Sequence, residues 1–204
     1  MAQTHVQTAT PTQAQTPRGI NHLVLNVRNL DVAHRFWTEI IGFKCVAELK
    51  PIPGRARPKM RCYSGVDAHG DVTHHDLALA EVPAEMPADE RGTWSLMPSR
   101  VGINHVAIAW PDRESWLKQV EFLQSKGVTF HRRINHGMTH SVYISDPDGH
   151  GIEVLYELPR EVWEGDIDAA QNYSEALPID GPEALIDKTD NPVFAASPER
   201  SARV

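Results

Sequence analysis

Two histidines and one glutamate stand where they could bind a single metal ion. His22 and His105 each follow the tripeptide Gly-Ile-Asn, so the same tetrapeptide occurs twice in the chain. Glu153 lies between apolar neighbours, and a buried ionised carboxylate is costly unless it is paired or binds a metal. Two imidazoles and one carboxylate, with coordination positions left open, are the ligand set of non-haem Fe(II) oxygenases. These residues therefore predict a metal site, with zinc or manganese as alternatives to iron.

Alternation along the strands predicts that the three ligands share one side of a sheet. In the first copy of the repeat, His22 and Val24 alternate with apolar leucines, and successive side chains of a strand point to opposite faces. His105 and Glu153 alternate with apolar residues in the same way. The wholly apolar faces are expected to pack under helices. This arrangement leaves His22, His105 and Glu153 on the opposite, concave face.

The elements that position these residues also occur twice. Each copy continues from its histidine into an apolar strand, then into a helix that starts at Asn29 or Asp31 in the first copy and at Asp112 in the second. Both helices end at a glycine, Gly42 or Gly127, as a left-handed C-terminal cap requires. The predicted strands are Leu23–Val27, Phe43–Leu49, Lys59–Tyr63 and His75–Val82, then Val106–Trp110, Val128–His131, Ser141–Ser145 and Gly151–Glu157. We predict an α+β fold in which two βαβββ modules pair into one curved mixed sheet around the metal site.

Composition sets the limits of this folded unit and of its partners. A net charge of −7 and the absence of a long apolar run argue against a nucleic-acid or membrane partner. Cys45 and Cys62 are expected to be buried, reduced thiols, and the chain to be cytoplasmic. The expected segments are a disordered arm (1–18), a folded domain (19–159) with modules at about 19–83 and 102–159 and a connection at 84–101, and a partly ordered C-terminal tail (160–204).

The segment before the last strand resembles a known superfamily. Residues 146–153 are Asp-Pro-Asp-Gly-His-Gly-Ile-Glu, and the Asp-Pro-Asp-Gly part is a strong turn signal. With paired βαβββ modules that each open on a histidine, this segment resembles the vicinal oxygen chelate superfamily over residues 18–159. The superfamily contains glyoxalases, epimerases, fosfomycin-resistance transferases, metal-free bleomycin-binding proteins and extradiol dioxygenases. Membership would therefore leave the function open.

Two further segments resemble the extradiol ring-cleaving dioxygenases. Residues 74–80, His-His-Asp-Leu-Ala-Leu-Ala, resemble the strand that carries the catalytic histidine of these enzymes, matched here by His75. His136-Gly137 and Tyr143 resemble the segment that supplies a substrate-contacting histidine and an active-site tyrosine. The resemblance implies catalytic roles for His75, His136 and Tyr143, the last two also binding substrate. Asn135 stands where an acid often precedes the His-Gly pair.

The first-module strand also bears on the number of ligands. Aligning Pro83 with Pro159 places Leu77 opposite Glu153, whereas a glyoxalase-type enzyme needs a fourth protein ligand, usually glutamate, in that strand. Strand alternation places His75 with Leu77 and Leu79, which are expected to line the concave side, and His74 on the other side. We therefore predict that His75 transfers protons beside the open coordination positions.

The predicted function is an Fe(II)-dependent extradiol dioxygenase, with Mn(II) as the alternative metal. It would cleave the ring of a catechol-type substrate with O2 and form a homo-oligomer. One alternative is a glyoxalase-like metal-dependent isomerase or thiol transferase on the same scaffold. Another is a metal-free protein that binds a small molecule, for which the matched His22 and His105 and the carboxylate of Glu153 would be coincidental.

Overall fold

The computed structural model of the chain describes residues 20–50, 53, 58–67, 69–86, 94–97 and 102–195. The predicted disordered arm lies outside these residues, as does most of the connection between the modules. Within the described ranges the chain forms nine strands and several short helices. No described helix is long and apolar enough to cross a membrane.

The first module begins at the strand that follows His22. Its elements are β1 (Leu23–Val27), α1 (Leu30–Arg35), a π-helical turn (Phe36–Ile40) that continues α1, β2 (Lys44–Glu48), β3 (Met60–Ser64) and β4 (Leu77–Glu81). The sheet order is β1-β4-β3-β2, with β1 parallel to β4 and the other pairs antiparallel. The helix starts at Asn29, because its side-chain oxygen accepts the backbone N–H of Asp31 and Val32 at 3.0 Å each.

The second module repeats this order and adds one strand. Its elements are β5 (His105–Trp110), α2 (Arg113–Ser125), β6 (Arg132–Asn135), β7 (Thr139–Ser145), β8 (Gly151–Glu157) and the short β9 (Glu175–Ala176). The sheet order is β5-β8-β7-β6-β9, with β5 parallel to β8. Asp112 and Ser115 form a reciprocal capping box that fixes the start of α2.

The α+β fold with two βαβββ modules is confirmed, and three details differ from prediction. The described strands form two sheets rather than one, because β1 and β5 each pair on one side only. The predicted strand Val128–His131 is wrong, since pairing with β7 begins at Arg132. The side chain of Phe130 is instead buried in the hydrophobic core. Cys45 is also exposed, whereas Cys62 is buried as predicted.

The two modules share one hydrophobic core. The indoles of Trp37 and Trp116 are both fully buried in it, and the side-chain amide of Gln119 on α2 donates to the carbonyl of Ile40 at 2.8 Å. The helix-facing sides of the two sheets therefore pack toward each other. Alternating residues of β1 and β5, such as Val24 and Ala107, are exposed.

The segment after β8 packs on the second module. It contains α3 (Arg160–Trp163), α4 (Ile167–Gln171), β9 and a 3₁₀ turn (Pro182–Leu185). Its buried anchor is Asp187, whose carboxylate accepts hydrogen bonds from Arg113, Arg133 and Tyr156 at 2.8–3.1 Å and lies 2.7 Å from Nδ1 of His140. Four groups from one helix and three strands thus bind one carboxylate of the segment.

Candidate metal and catalytic site

Four of the predicted site residues form a continuous chain of contacts in the second module. His105 is the first residue of β5, and its Nε2 lies 3.1 Å from Oε2 of Glu153. The other carboxylate oxygen accepts the hydroxyl of Tyr143 at 2.8 Å. That hydroxyl lies 2.9 Å from Nε2 of His136, in the loop before β7. We call His105, Glu153, Tyr143 and His136 the acid–base chain.

The strand register explains why these side chains meet. Glu153 on β8 pairs directly with Tyr143 on β7 and with Ala107 on β5, and directly paired residues have their side chains on the same face. His105 is two residues before Ala107, so it lies on that face too. His105 and Glu153 therefore lie on the same face of the sheet, as predicted.

Electrostatics give the members of the acid–base chain different protonation states. Burial alone would raise the pKa of Glu153, but hydrogen bonds from His105, Ser141 and Tyr143 outweigh it and lower the pKa. Burial, and then the charge of Glu153, raise the pKa of Tyr143 far above its ordinary value. Burial lowers the pKa of His136, against a smaller opposing effect of Glu153. Near neutral pH the chain thus contains a charged carboxylate beside a protonated phenol and a neutral imidazole.

The donor atoms of His105 and Glu153 fit two adjacent positions around a metal ion. Bonds of about 2.1 Å at right angles place neighbouring ligand atoms about 3 Å apart, and the observed nitrogen–oxygen distance is 3.1 Å. Imidazole and carboxylate both suit Fe(II) and Mn(II). The pair therefore fits part of the predicted ligand set.

An asparagine orients each of the two repeated histidines, and sequence reasoning missed this role. Oδ1 of Asn104 lies 2.8 Å from Nδ1 of His105, and Oδ1 of Asn21 lies 2.9 Å from Nδ1 of His22. An acceptor at Nδ1 fixes the tautomer and leaves Nε2 for a metal. The signal was present in the sequence, because both asparagines belong to the repeated Gly-Ile-Asn-His.

The remaining two predicted residues lie in a second group, in the first module. The ring of His22 is 4.4 Å from that of His75 and 6.4 Å from that of His74, measured between centroids. Nδ1 of His74 and Nδ1 of His75 are 2.9 Å apart. We call these three residues the imidazole cluster. His22 and His74 are exposed and His75 is half-buried.

The structure does not bring His22 to the pair His105–Glu153. In the described part of the chain, no three residues among His, Cys, Asp and Glu are arranged to hold a metal ion. The acid–base chain and the imidazole cluster are therefore separate groups. We call them the two half-sites of the predicted metal centre, and the triad remains a prediction.

Comparison with known proteins decides the family. A family model described as the Glyoxalase/Bleomycin resistance protein/Dioxygenase superfamily matches residues 19–154, which is 136 of the 204 residues. The chain belongs to this superfamily.

Relatives within the superfamily have more than one activity. Catechol-2,3-dioxygenase of Bacillus subtilis (strain 168) is 29% identical over 147 residues, which are 72% of this chain and 44% of that protein. Lactoylglutathione lyase of Pseudomonas putida is 25% identical over 167 residues, covering 68% of this chain and 85% of that protein. A glyoxalase/dioxygenase structure from Nostoc punctiforme covers 74% of this chain at 17% identity and a TM-score of 0.52, and all of its own chain is covered. The chain spans less than half the length of the Bacillus relative.

The first module of this superfamily member differs from prediction at the strand after the imidazole cluster. Because Leu23 pairs with Leu77 while Val106 pairs with Ile152, the counterpart of Glu153 is Ala78 rather than Leu77. The first module still has no carboxylate at the position that corresponds to Glu153, because Ala78 occupies it.

The alternation argument for His75 is wrong. Leu77 and Leu79 are buried in the hydrophobic core rather than on the concave side. His75 precedes β4, so the strand does not fix its direction, and both His74 and His75 contact the ring of His22. The proximity of His75 to His22 therefore has another cause, the path of the irregular segment that precedes β4.

A cavity of about 410 Å³ lies where the modules meet. Its lining includes Leu23, Trp37, Phe43 and Trp110 and none of the predicted site residues. Leu23 and Val106, which follow His22 and His105, line this cavity, so in this superfamily member it borders the strands that follow both repeated histidines.

Proposed function

We propose that the protein is an Fe(II)-dependent extradiol dioxygenase that opens the ring of a catechol-type substrate with O2, with Mn(II) as the alternative metal. The observation that carries the proposal is the acid–base chain. It places a charged carboxylate and an imidazole at the spacing of two metal ligands, directly beside two neutral groups able to hold or pass a proton. The identity to a catechol dioxygenase supports the same activity.

Each residue has a distinct task in this proposal. His22, His105 and Glu153 hold the ion by neutral nitrogen and charged oxygen donors. A bound Fe(II) would supply a redox-active Lewis acid at which a deprotonated catechol and O2 can react. Tyr143 and His136 bind the substrate, through the hydroxyl group and the imidazole. A neutral imidazole accepts a proton near pH 7, which is the task we assign to His75.

We also propose a homo-oligomer in which His22 of one copy completes the pair His105–Glu153 of another. Two features support this. The half-sites lie apart in one chain. In addition, β1, which follows His22, and β5, which begins at His105, each have one edge that pairs with no other described strand. Mixed oligomers of His22→Ala and Glu153→Gln chains test it. Sites shared between copies would regain activity in the mixture, because one site then has all three ligands, whereas sites within one chain would stay inactive.

A glyoxalase-type isomerase is the second candidate, because a lactoylglutathione lyase matches over most of its length. Ala78 argues against it, since the first module then lacks the carboxylate that would be the fourth ligand. A metal-free binding protein is the third candidate, and the metal analysis below tests it. The free thiols fit the reducing cytoplasm, which we propose as the location.

Anaerobic purification followed by metal analysis and oxygen uptake with catechol tests the function. We expect bound iron, uptake of one O2 per catechol, and a product heavier than catechol by the mass of O2. A protein that holds zinc or nickel and isomerises a thiol adduct without oxygen would establish the second candidate instead. A protein that holds no metal but binds small molecules would establish the third.

A further inference from the structure

One aromatic residue outside the acid–base chain lies directly on it. The indole of Trp94 is nearly parallel to the ring of Tyr143, with centroids 5.3 Å apart and planes at 12°. It stands at 85° to the ring of His105, 6.3 Å away, and 5.7 Å from the ring of His131. The indole therefore covers the tyrosine and borders the proposed ligand His105.

Two contacts hold the indole in this position. Its N–H donates to the carbonyl of Asn104 at 2.7 Å, one residue before His105. The second contact depends on Gly151, where an added Cβ would be 2.0 Å from the indole nitrogen. Gly151 pairs with His105 in the strand register and precedes Glu153 by two residues. The glycine in this strand thus makes room for Trp94 beside the pair His105–Glu153.

We propose that Trp94 is a specificity-determining residue: its indole forms one wall of the substrate site and limits the substrate to a single aromatic ring. This inference rests on the proposed function. A diol bound beside His105 and Glu153 has its ring close to Tyr143, because the tyrosine hydroxyl is 2.8 Å from Glu153. The indole already fills the space over that tyrosine. A second ring attached next to the diol would meet the indole, whereas a single ring can pack against it in the offset or edge-to-face geometry that aromatic pairs prefer.

Binding of two probes to the iron-loaded protein without oxygen tests the wall. The probes are catechol and biphenyl-2,3-diol, measured by titration calorimetry. For the unaltered protein we expect catechol to bind and biphenyl-2,3-diol to bind weakly. Trp94→Ala removes the wall, so the ratio of biphenyl-2,3-diol to catechol affinity should rise at least about tenfold, the scale of a lost aromatic contact combined with relieved overlap.

Three further variants separate the wall from general damage. Trp94→Phe keeps a smaller ring and should give an intermediate ratio. Gly151→Ala leaves Trp94 in the sequence but puts a methyl group where the indole lies, so it should raise the ratio as well. The matched control is Met97→Ala, in the same connection, because this residue is largely exposed (70%). Its ratio should equal that of the unaltered protein.

The outcomes distinguish this inference from the proposed function. If the ratio shifts but no variant consumes oxygen, the wall is right and the dioxygenase assignment is wrong. If the protein cleaves catechol but Trp94→Ala and Gly151→Ala leave the ratio unchanged, the wall is wrong. Equal gains for both probes in Trp94→Ala would make the indole an obstruction to every substrate, and binding of neither probe to any form would also overturn the inference.

Discussion

The two modules have the same backbone plan and different chemistry. Each starts with an Asn-His pair in which the asparagine orients the imidazole, and each pairs its first strand with its fourth in parallel. At matched positions, however, the second module has Glu153 and Tyr143 where the first has Ala78 and Cys62. Both copies of the duplicated scaffold thus keep the asparagine that orients the histidine, whereas the carboxylate and the tyrosine hydroxyl occur at these positions in the second copy alone.

The modules also differ in what supports them. The carboxylate of Asp187 binds the second module through four buried or partly buried groups. The first module has a more exposed ion pair, between Asp31 and Arg61 at 2.8 Å, in which the carboxylate is mostly exposed. The C-terminal segment thus packs on and stabilises the module that contains the charged Glu153.

The largest effect is expected from Glu153→Gln. This change removes the carboxylate charge of the second module, for which the first module has the uncharged Ala78. Iron content should fall sharply and ring cleavage should become undetectable, because the substituted amide is a weaker metal ligand. The measurement is metal analysis of anaerobically purified protein. Glu157→Gln, at the exposed end of the same strand, is the control and should keep its iron. Unchanged iron in Glu153→Gln would refute the triad.

The next largest effect should separate His75 from His74 in the imidazole cluster. Burial, and then the neighbouring His22 and His74, lower the pKa of His75, which favours the neutral form that accepts a proton. His75→Phe should keep iron and bind catechol while turnover falls by about 100–10,000-fold. His74→Phe should retain most of its turnover, because His74 is exposed and lies further from His22. Loss of iron in His75→Phe would make this residue a ligand and favour the isomerase.

The sequence predicted most of the fold because local signals agreed with each other. Asn29 and Asp112 cap the helices as expected, and Glu153 and Tyr143 share a face because strand alternation has few exceptions inside a regular sheet. Prediction failed where no regular strand exists. His75 lies in the irregular segment before β4, where strand alternation does not decide which way a side chain points.

Contacts between residues far apart in the sequence could not be predicted either. The distance from His22 to His105 depends on how two modules pack, and the stacking of Trp94 on Tyr143 joins residues about fifty positions apart. No periodicity encodes such contacts. Asp187 likewise lies in a tail of low hydrophobicity, where the sequence alone offered no partner for a buried carboxylate.

A smaller effect is expected from Tyr143→Phe. Removing one hydroxyl takes away the donor to Glu153 but no proposed ligand. Iron should be retained while turnover falls by about 10–1000-fold, the upper end being the value of one donor aimed at developing charge. Tyr156→Phe is the matched control, since that hydroxyl lies on the next strand and donates to Asp187 instead. Full turnover in Tyr143→Phe would exclude the assigned role.

The smallest effect on turnover, and a large one on stability, is expected from Asp187→Asn. The guanidinium of Arg133 has no exposed side-chain surface, and leaving a buried charge without its partner costs about 3–5 kcal/mol. The melting temperature should therefore fall by roughly 6–20 °C. Asp31→Asn, which alters the mostly exposed carboxylate of the first-module ion pair, should change the melting temperature little. Equal shifts in the two variants would show that the C-terminal segment does not brace the second module.

The effect of Asp187→Asn should also depend on pH. Burial alone would raise the pKa of Asp187, but hydrogen bonds from His140, Tyr156 and Arg113 outweigh it and lower the pKa below its ordinary value of 3.8. A carboxylate with a lowered pKa stabilises the fold above the pKa of the unfolded chain, and this contribution is lost as the pH falls through the folded pKa. The difference in unfolding free energy between the unaltered protein and Asp187→Asn should therefore be constant above about pH 5 and shrink below pH 3.8. Chemical denaturation across that range measures it, and a difference that grows toward acid would contradict the ionised carboxylate as the anchor.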